Sequence, residues 1–421
     1  LFRSVTVAVG LIVAALVWRR PDLLVIATPF AVVTAWAAMT RPQQTPVLVD
    51  ALAHPTVREG DATRWRATIT GADHADHAIA VLVLDPWIET RPRSAVASGR
   101  ALAGDVHLEV AVRATRWGVR EIERAHVVVV SPWAAFHWST GTTPRVFTAL
   151  PVPGVFDVGA SPRPPDGLVG LHRSTRAGDG NEFAGVRSFR PGDRMRRINW
   201  VRSARSNELQ VNATWADLDA HVALVIDAGD DFGASGGIDG AASSLDASVR
   251  AAGAIAEHYA LRGERVSLRT FGTRVVHDVP TGTGRAQLRR ILDTMARVRP
   301  GADGRTVRSG RLVTAARRGT SGRMTVMLSP LIAPEALDLA VELGRRGAAV
   351  VVIDTLPDHV AQHDDDLMAL AWRVRLLERR REVRKVTAAG IPVIAWRGPG
   401  SLDVVIRDIA RRTTGPRLVQ R

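Results

Sequence analysis

The run HVALVID, residues 221–227, is apolar almost throughout and ends on an aspartate. A short continuous run of this kind suits a strand buried on both faces of a sheet. The next segments repeat the theme. SLDASVRAAGAIAEHYALRG (244–263) has helical spacing and stops at a glycine, and RVSLRTFG (265–272) and RVVHDV (274–279) read as strands. A helix from about Arg285 to Val298, the strand RMTVMLS (323–329), the helix PEALDLAVELGRRG (334–347) and the strand AAVVVID (348–354) continue it. A long basic helix, IPVIAW (391–396) and SLDVVIRDIARRT (401–413) complete it. The succession predicts an α/β domain over 217–421, a doubly wound and mostly parallel sheet covered by helices on both faces. Ligands of such sheets sit beyond the carboxyl ends of the strands, which directs attention to the loops after Asp227, Ser329 and Asp354.

Working outward, PVPGVFDVGASPRPP (151–165) is a proline- and glycine-rich connector opening a linker and signature segment, 151–216. Residues 42–150 carry VLVDALAH, TRWRATIT, AIAVLVLD, VHLEVAVRA and AHVVVVS, short β-branched runs, several of them alternating at period two. They predict a β-sandwich-like domain of about six to seven strands. His74 and His77 read as solvated turn residues, since a metal site needs a third ligand in reach.

Residues 1–41 hold two apolar runs, Val5 to Trp18 and Leu23 to Met39, separated by RRPD (19–22). Each is slightly shorter than the roughly 20 residues of a spanning helix. Trp18 and Trp36 stand near run ends, where interfacial aromatics prefer to lie. A signal sequence is the alternative, with Ala35-Trp36-Ala37 as a small-x-small site, but an arginine pair between two runs fits a transmembrane hairpin better. Arg3 and Arg41 outside balance Arg19 and Arg20 in the turn, so charge does not orient it.

The 421 residues carry 56 basic against 42 acidic side chains, a net charge of +14. That balance favours anionic partners, but the arginines are spread out and lack interleaved aromatics, so no nucleic-acid partner is expected. With no cysteine, disulfides, thiol catalysis and zinc–thiolate sites are excluded.

The densest stretch is GDGNEFAGVRSFRPGDRMRRINWVRSAR (178–205). Arg190-Pro191-Gly192-Asp193 suits a type II turn, and a short helix capped by Asp193 would follow, with Ile198 and also Trp200 candidates to face inward. No nucleophile stands beside an obvious base. Arg187, Arg190, Asp193, Arg194, Arg197, Trp200 and Arg205 are therefore candidates for partner binding, or for ion pairs that brace the domain, with Arg187, Arg197 or Arg205 meeting Asp179, Glu182 or Asp193. After the first α/β strand, Gly233-Ala234-Ser235-Gly236-Gly237 formally matches a nucleophile elbow, but Ser235 lies in a glycine-rich loop far from a tight strand–turn–helix. A hydrolase using that loop stays a second class, and arginine-rich nucleic-acid binding a third. AWRVRLLERRREVRKV (371–386) carries seven basic residues and two glutamates, with Leu367, Leu370, Val374 and Leu377 on one helical face. That face suits solvent, anionic lipid or a partner.

Gly180, Glu182-Phe183, Gly185-Val186-Arg187, Phe189, Pro191-Gly192-Asp193, Arg197-Ile198, Trp200 and Ser203-Ala204-Arg205, with the strand ending in Asp227, resemble the bacterial domain-of-unknown-function 58 family. TRWGVREIERAHVVVVSPWAAFHW and the twin apolar runs are similar to its upstream parts. The resemblance implies a cell-membrane protein held by two helices in the lipid bilayer, its soluble part cytoplasmic. It also implies a von Willebrand factor type A-like domain paired with a MoxR-type AAA+ ATPase. No enzymatic activity is established for the family as a whole, and a non-enzymatic interaction protein is the expectation. Type A domains often hold Mg through Asp-x-Ser-x-Ser, a threonine and a later aspartate. Here Asp227 is kept, Gly229 and Asp231 stand at the serine positions, Thr306 aligns with the threonine, and Ser329-Pro330 replaces Ser-Asp. The resemblance thus leaves a degenerate metal site of Asp227, Asp231 and Thr306, with no cofactor required.

Overall fold

A computed structural model describes residues 2–39, 45–71, 75–101, 104–132, 136–152, 173–190, 193, 195–206, 208–217, 221–273, 275–301, 323–346, 348–358, 360 and 366–396. The chain divides into two compact units, Leu1–Pro151 with Gly237–Asp239, and Val152–Gly236 with Gly240–Arg421.

The first unit opens with helices α1 (Phe2–Trp18) and α2 (Asp22–Met39). Among the described residues, α2 is the one helix long and apolar enough to cross a membrane, judged by length and composition. α1 is apolar but shorter. Its 17 residues rise about 26 Å, less than a hydrocarbon core of about 30 Å. The sequence therefore shows two apolar runs where one helix meets the length of a span. Arg19, at φ 53°, ends α1, and Thr34 Oγ1 of α2 donates to Ser4 Oγ of α1 at 3.4 Å.

Ten strands follow in this unit: β1 (Val47–Leu52), β2 (Thr56–Arg58), β3 (Ala62–Thr70), β4 (His77–Leu84), β5 (Ile88–Arg91), β6 (Val96–Arg100), β7 (Val106–Ala114), β8 (Gly118–Val130), β9 (His137–Gly141) and β10 (Arg145–Leu150). One sheet has the order β1-β3-β7-β5, and the other β2-β10-β8-β4-β6 with β9 paired to β8. Alternation in β3 and β7 sends Trp65, Ile69, Leu108 and Val110 inward, where they share one core with Ala80, Ile122, Val127 and Phe147 of the second sheet. Two sheets closing on one core make a sandwich. The sequence pattern showed fewer strands because β2, β5 and β6 are too short to establish a period. Trp65 is fully buried, so its indole N–H must find an acceptor, and it donates to Asp50 Oδ2 at 3.1 Å. Arg145 Nη2 donates to the other Asp50 oxygen at 2.8 Å.

In the second unit β11 (Arg173–Ser188) pairs antiparallel with β12 (Gln210–Asp217), and a 3₁₀ turn (Met195–Arg197) and α3 (Trp200–Ser206) lie between them in the chain. The main sheet and its helices are β13 (His221–Asp227), α4 (Ser244–Ala260), β14 (Arg265–Phe271), β15 (Asp278–Gly282), α5 (Gly284–Met295), β16 (Arg323–Ser329), α6 (Pro334–Arg345), β17 (Ala349–Asp354), α7 (Asp366–Ala388) and β18 (Val393–Ala395). Its order is β15-β14-β13-β16-β17-β18, every neighbouring pair parallel except β14 with β15. The strand expected over 274–279 lies further on, at β15. Valine and isoleucine on both faces of β13 and β17 are buried, as a covered parallel sheet requires. At the β15 edge Pro280 has no N–H to offer, and Gln287 Nε2 donates to Pro280 O at 2.7 Å and to Val266 O at 2.9 Å. SLDVVIRDIARRT lies outside the described residues.

The sandwich core makes its own test. Trp65→Ala empties the largest buried side chain, and its expected cost is about 3–5 kcal/mol. Hydrogen exchange of β3 and β7 amides in urea would read it as a lowered midpoint; an unchanged midpoint would remove Trp65 from the core.

Candidate functional site

The strand order reverses at β13: the chain builds outward to β15 and then returns to β16 on the other side. The connections leave β13 and β16 in opposite directions there, and sheets of this kind bind ligands at the carboxyl ends of such strands. Asp227, the last residue of β13, is buried at that point. Its Oδ2 accepts the Ser329 hydroxyl of β16 at 2.6 Å, and its Oδ1 accepts the Gly229 N–H at 3.1 Å. Ser329 Oγ in turn accepts the Leu331 N–H at 3.0 Å, and Leu331 is buried at φ 55°, a left-handed conformation unusual for leucine. Glycines make the approach possible. A Cβ on Gly272, at φ 85°, would stand 2.6 Å from Gly229 N and 3.1 Å from Asp227 Oδ1. Burial pushes the Asp227 carboxyl up to about 6, and the bonds from Ser329 and Gly229 only partly oppose it.

Asp231 serves a different end. Its carboxylate accepts the Ser243 hydroxyl at 3.0 Å, the Ser244 hydroxyl at 3.2 Å and the Leu245 N–H at 2.9 Å, all at the N-terminus of α4. Ser243 and Asp246 close a capping box on the same turn. Ser235, the serine of the formal elbow, donates to Asp246 Oδ2 at 2.6 Å. It thereby staples the loop to α4 through a carboxylate already used as a cap. The spacing of Ser243 and Asp246 was visible in the sequence as a cap signal; the contribution of Ser329 had no signal in it.

An octahedral Mg site needs several oxygens free to turn toward one ion. Asp227 spends its oxygens on Ser329 and Gly229, while Asp231 spends its own on α4. Thr306 lies outside the described residues, and among those described no group of three or more acidic or histidine side chains could hold a metal. The described residues do not fit the ion. The arrangement is a closed hydrogen-bonded clasp between the two central strands.

The signature segment is built on pairing. Arg187 Nη1 and Nη2 grip the Asp193 carboxylate at 2.7 and 2.6 Å, and Asp193 Oδ2 also accepts the Arg190 N–H at 2.8 Å. The Arg187 guanidinium, with the Arg190 N–H, holds the Asp193 carboxyl down at about 2. Asp193 thus closes the turn, whereas the cap of α3 is Asn199, whose Oδ1 accepts the Arg202 N–H at 3.1 Å. The helix does not start after Asp193, because the 3₁₀ turn intervenes. Ser203 Oγ accepts the Gln210 N–H at 2.8 Å and Asn199 Nδ2 donates to Asn212 Oδ1 at 3.0 Å, which pins α3 to β12. Ile198 packs inward as its position predicts, but Trp200 does not: it is 65% exposed, beside Val201 at 67%. Arg190, Arg202 and Arg205 are exposed near them, Arg197 is half-buried, and Arg194 lies outside the described residues.

A cavity of about 590 Å³ opens where β17 and β18 end, lined by Arg250, Asp354, Trp372, Arg379 and Trp396 among others. Arg379 pairs with Asp354 and donates to Pro330 O at 3.0 Å, so α7 is tied to the loop that follows Ser329.

Residues 185–378 match the family described as "Protein of unknown function DUF58". The matched segment runs from Gly185 through most of α7 and contains both the clasp and the paired turn. Uncharacterized proteins of Mycobacterium tuberculosis and Mycobacterium bovis are each 29% identical over 194 residues, 45% of this chain and 52% of theirs. The chain thus spans about half the length of these curated relatives.

Asp227 sets a pH dependence. Its carboxyl, normally near 3.8, sits at about 6 when folded, so the folded chain binds the extra proton between those values. Stability from this group is highest below about pH 4 and falls as pH rises through the window, by about 3 kcal/mol in all. Asp227→Asn is expected to flatten that slope in urea midpoints for β13 amide exchange. Saturating Mg is expected to leave the wild-type profile unmoved. A profile displaced to lower pH by Mg would restore a metal site.

Proposed function

We propose that this chain is a membrane-tethered, non-enzymatic interaction protein whose α/β domain engages a protein partner, a MoxR-type AAA+ ATPase. The observation that carries this reading is the surface of α3. Trp200 and Val201 stand out of a helix that is fastened from beneath by Asn199, Ser203 and Ile198, with Arg202 and Arg205 exposed around them. A rigidly presented indole on a short helix that also exposes guanidiniums has the composition of a binding hot spot, and holding it still lowers the entropy lost on docking. The strand order, with its single antiparallel edge strand, supports a von Willebrand factor type A-like domain, and the family resemblance supports the ATPase as partner. The contact between α1 and α2 supports a helical hairpin in the bilayer, and the family resemblance supports a cytoplasmic side for the rest of the chain. The closed clasp at Asp227 speaks for a domain that works through its surface rather than through a metal.

The test is affinity purification of the detergent-solubilised full-length protein from its own host, with partners identified by mass spectrometry. A MoxR-type ATPase is expected, and Trp200→Ala is expected to weaken its binding by roughly 30-fold, about 2 kcal/mol. Arg205→Glu should act in the same direction. Circular dichroism should match wild type in both. Undiminished capture by folded variants would leave α3 as architecture, and an intact bait without the ATPase would end the assignment of partner.

A further inference from the structure

Helix α7 carries apolar side chains on two faces, one against the core and one exposed. Facing the domain, Arg375 Nε donates to Ile332 O at 2.8 Å and its Nη2 meets Glu382 Oε2 at 3.0 Å, while Arg379 reaches Pro330 O and Asp354. Facing outward at alternating steps of three and four lie Leu367, Leu370, Val374 and Leu377, between 48% and 73% exposed, with Met368 beside them. The same stripe continues as Arg381 and Arg384. Arg373, Arg380 and Lys385 are exposed as well, so five cations surround this face against the carboxylates of Asp366 and Glu378. In a water-facing helix the apolar stripe would turn inward. Here the inward positions are already filled, by Trp372 stacked on Phe232, by Val383 and Val386 against the core, and by Arg375 and Arg379 tied to backbone carbonyls and carboxylates. The helix therefore cannot roll to hide its outer leucines without breaking those contacts.

We propose that the outer face of α7 is a membrane-surface site for anionic lipid. Leucine and valine enter the boundary between headgroups and acyl chains, and the arginines and lysine reach phosphate headgroups along their flexible stems. The charge decides for lipid over an apolar protein groove: five exposed cations on one helix suit a diffuse sheet of negative charge. The inference rests on the membrane tether proposed above, and it adds a second, peripheral contact to that anchor.

The chain has no cysteine, so single cysteines can be placed without background. Leu370→Cys, with Val374→Cys as a second site, would carry a bimane label in full-length protein reconstituted into nanodiscs. The discs would be of phosphatidylcholine alone or with phosphatidylglycerol, each doped with nitroxide lipid. Label on Leu261→Cys, exposed at the end of α4, is the control. Quenching at both α7 sites is expected to be at least about threefold stronger in anionic than in neutral discs, and absent at 261. It should fall to the control level in Arg373→Glu/Arg381→Glu. Labels that stay unquenched in anionic discs, or are quenched equally in neutral ones, overturn the proposal. Failure of the tether looks different, because the protein then separates from the discs on size exclusion. In that event flotation with phosphatidylglycerol vesicles decides whether α7 binds lipid unaided: co-flotation supports the site and its absence overturns it.

Discussion

A carboxylate buried at the end of a central strand must be neutralised, hydrogen-bonded or paired, and Asp227 is the residue on which this requirement falls. The Ser329 hydroxyl and the Gly229 N–H satisfy it, and much of the second unit follows from their placement. Gly229 and Gly272 have to be bare for the loops to close over Asp227, and Leu331 takes a costly backbone conformation to bring its N–H to Ser329. The loop beyond it presents Pro330 and Ile332 carbonyls, which orient Arg379 and Arg375 and with them the whole of α7. One buried carboxylate thus ties β13 to β16 and, through the loop after Ser329, is linked to the placement of α7.

Much of this architecture was legible in the sequence because it depends on local pattern. Unbroken valine and isoleucine runs identify strands covered on both faces, and period two in β3 and β7 identifies a sheet with one dry side. The paired turn was also within reach, because Arg187 and Asp193 stand in one short segment and their opposite charges favour an ion pair. What could not be read there is whatever depends on contacts far apart in the chain. Ser329 lies 102 residues from Asp227, and no local rule says that its hydroxyl meets that carboxylate. Trp200 illustrates another limit. Large aromatics are usually buried, yet Ile198 and Val211 already fill the space beneath α3, and the indole is left outside.

The two candidate surfaces differ in how they are held. α3 is short, and side-chain hydrogen bonds to β12 fix it. α7 is long, and arginines that reach across to loop carbonyls fix it. In both cases large apolar side chains are left facing outward while polar contacts help to hold the helix in place. Exposed apolar side chains of this kind cost solubility unless something covers them.

The β15 edge has one more consequence. An open sheet margin usually offers unpaired N–H groups as a template for a further strand, and this is how many domains dimerise or recruit extended peptides. Pro280 removes a donor from that margin, and the Gln287 amide occupies a carbonyl there. On this flank the domain resists growth by backbone pairing, including the self-addition that leads to fibres. Recognition there is left to side chains, which can be altered one at a time without touching the sheet.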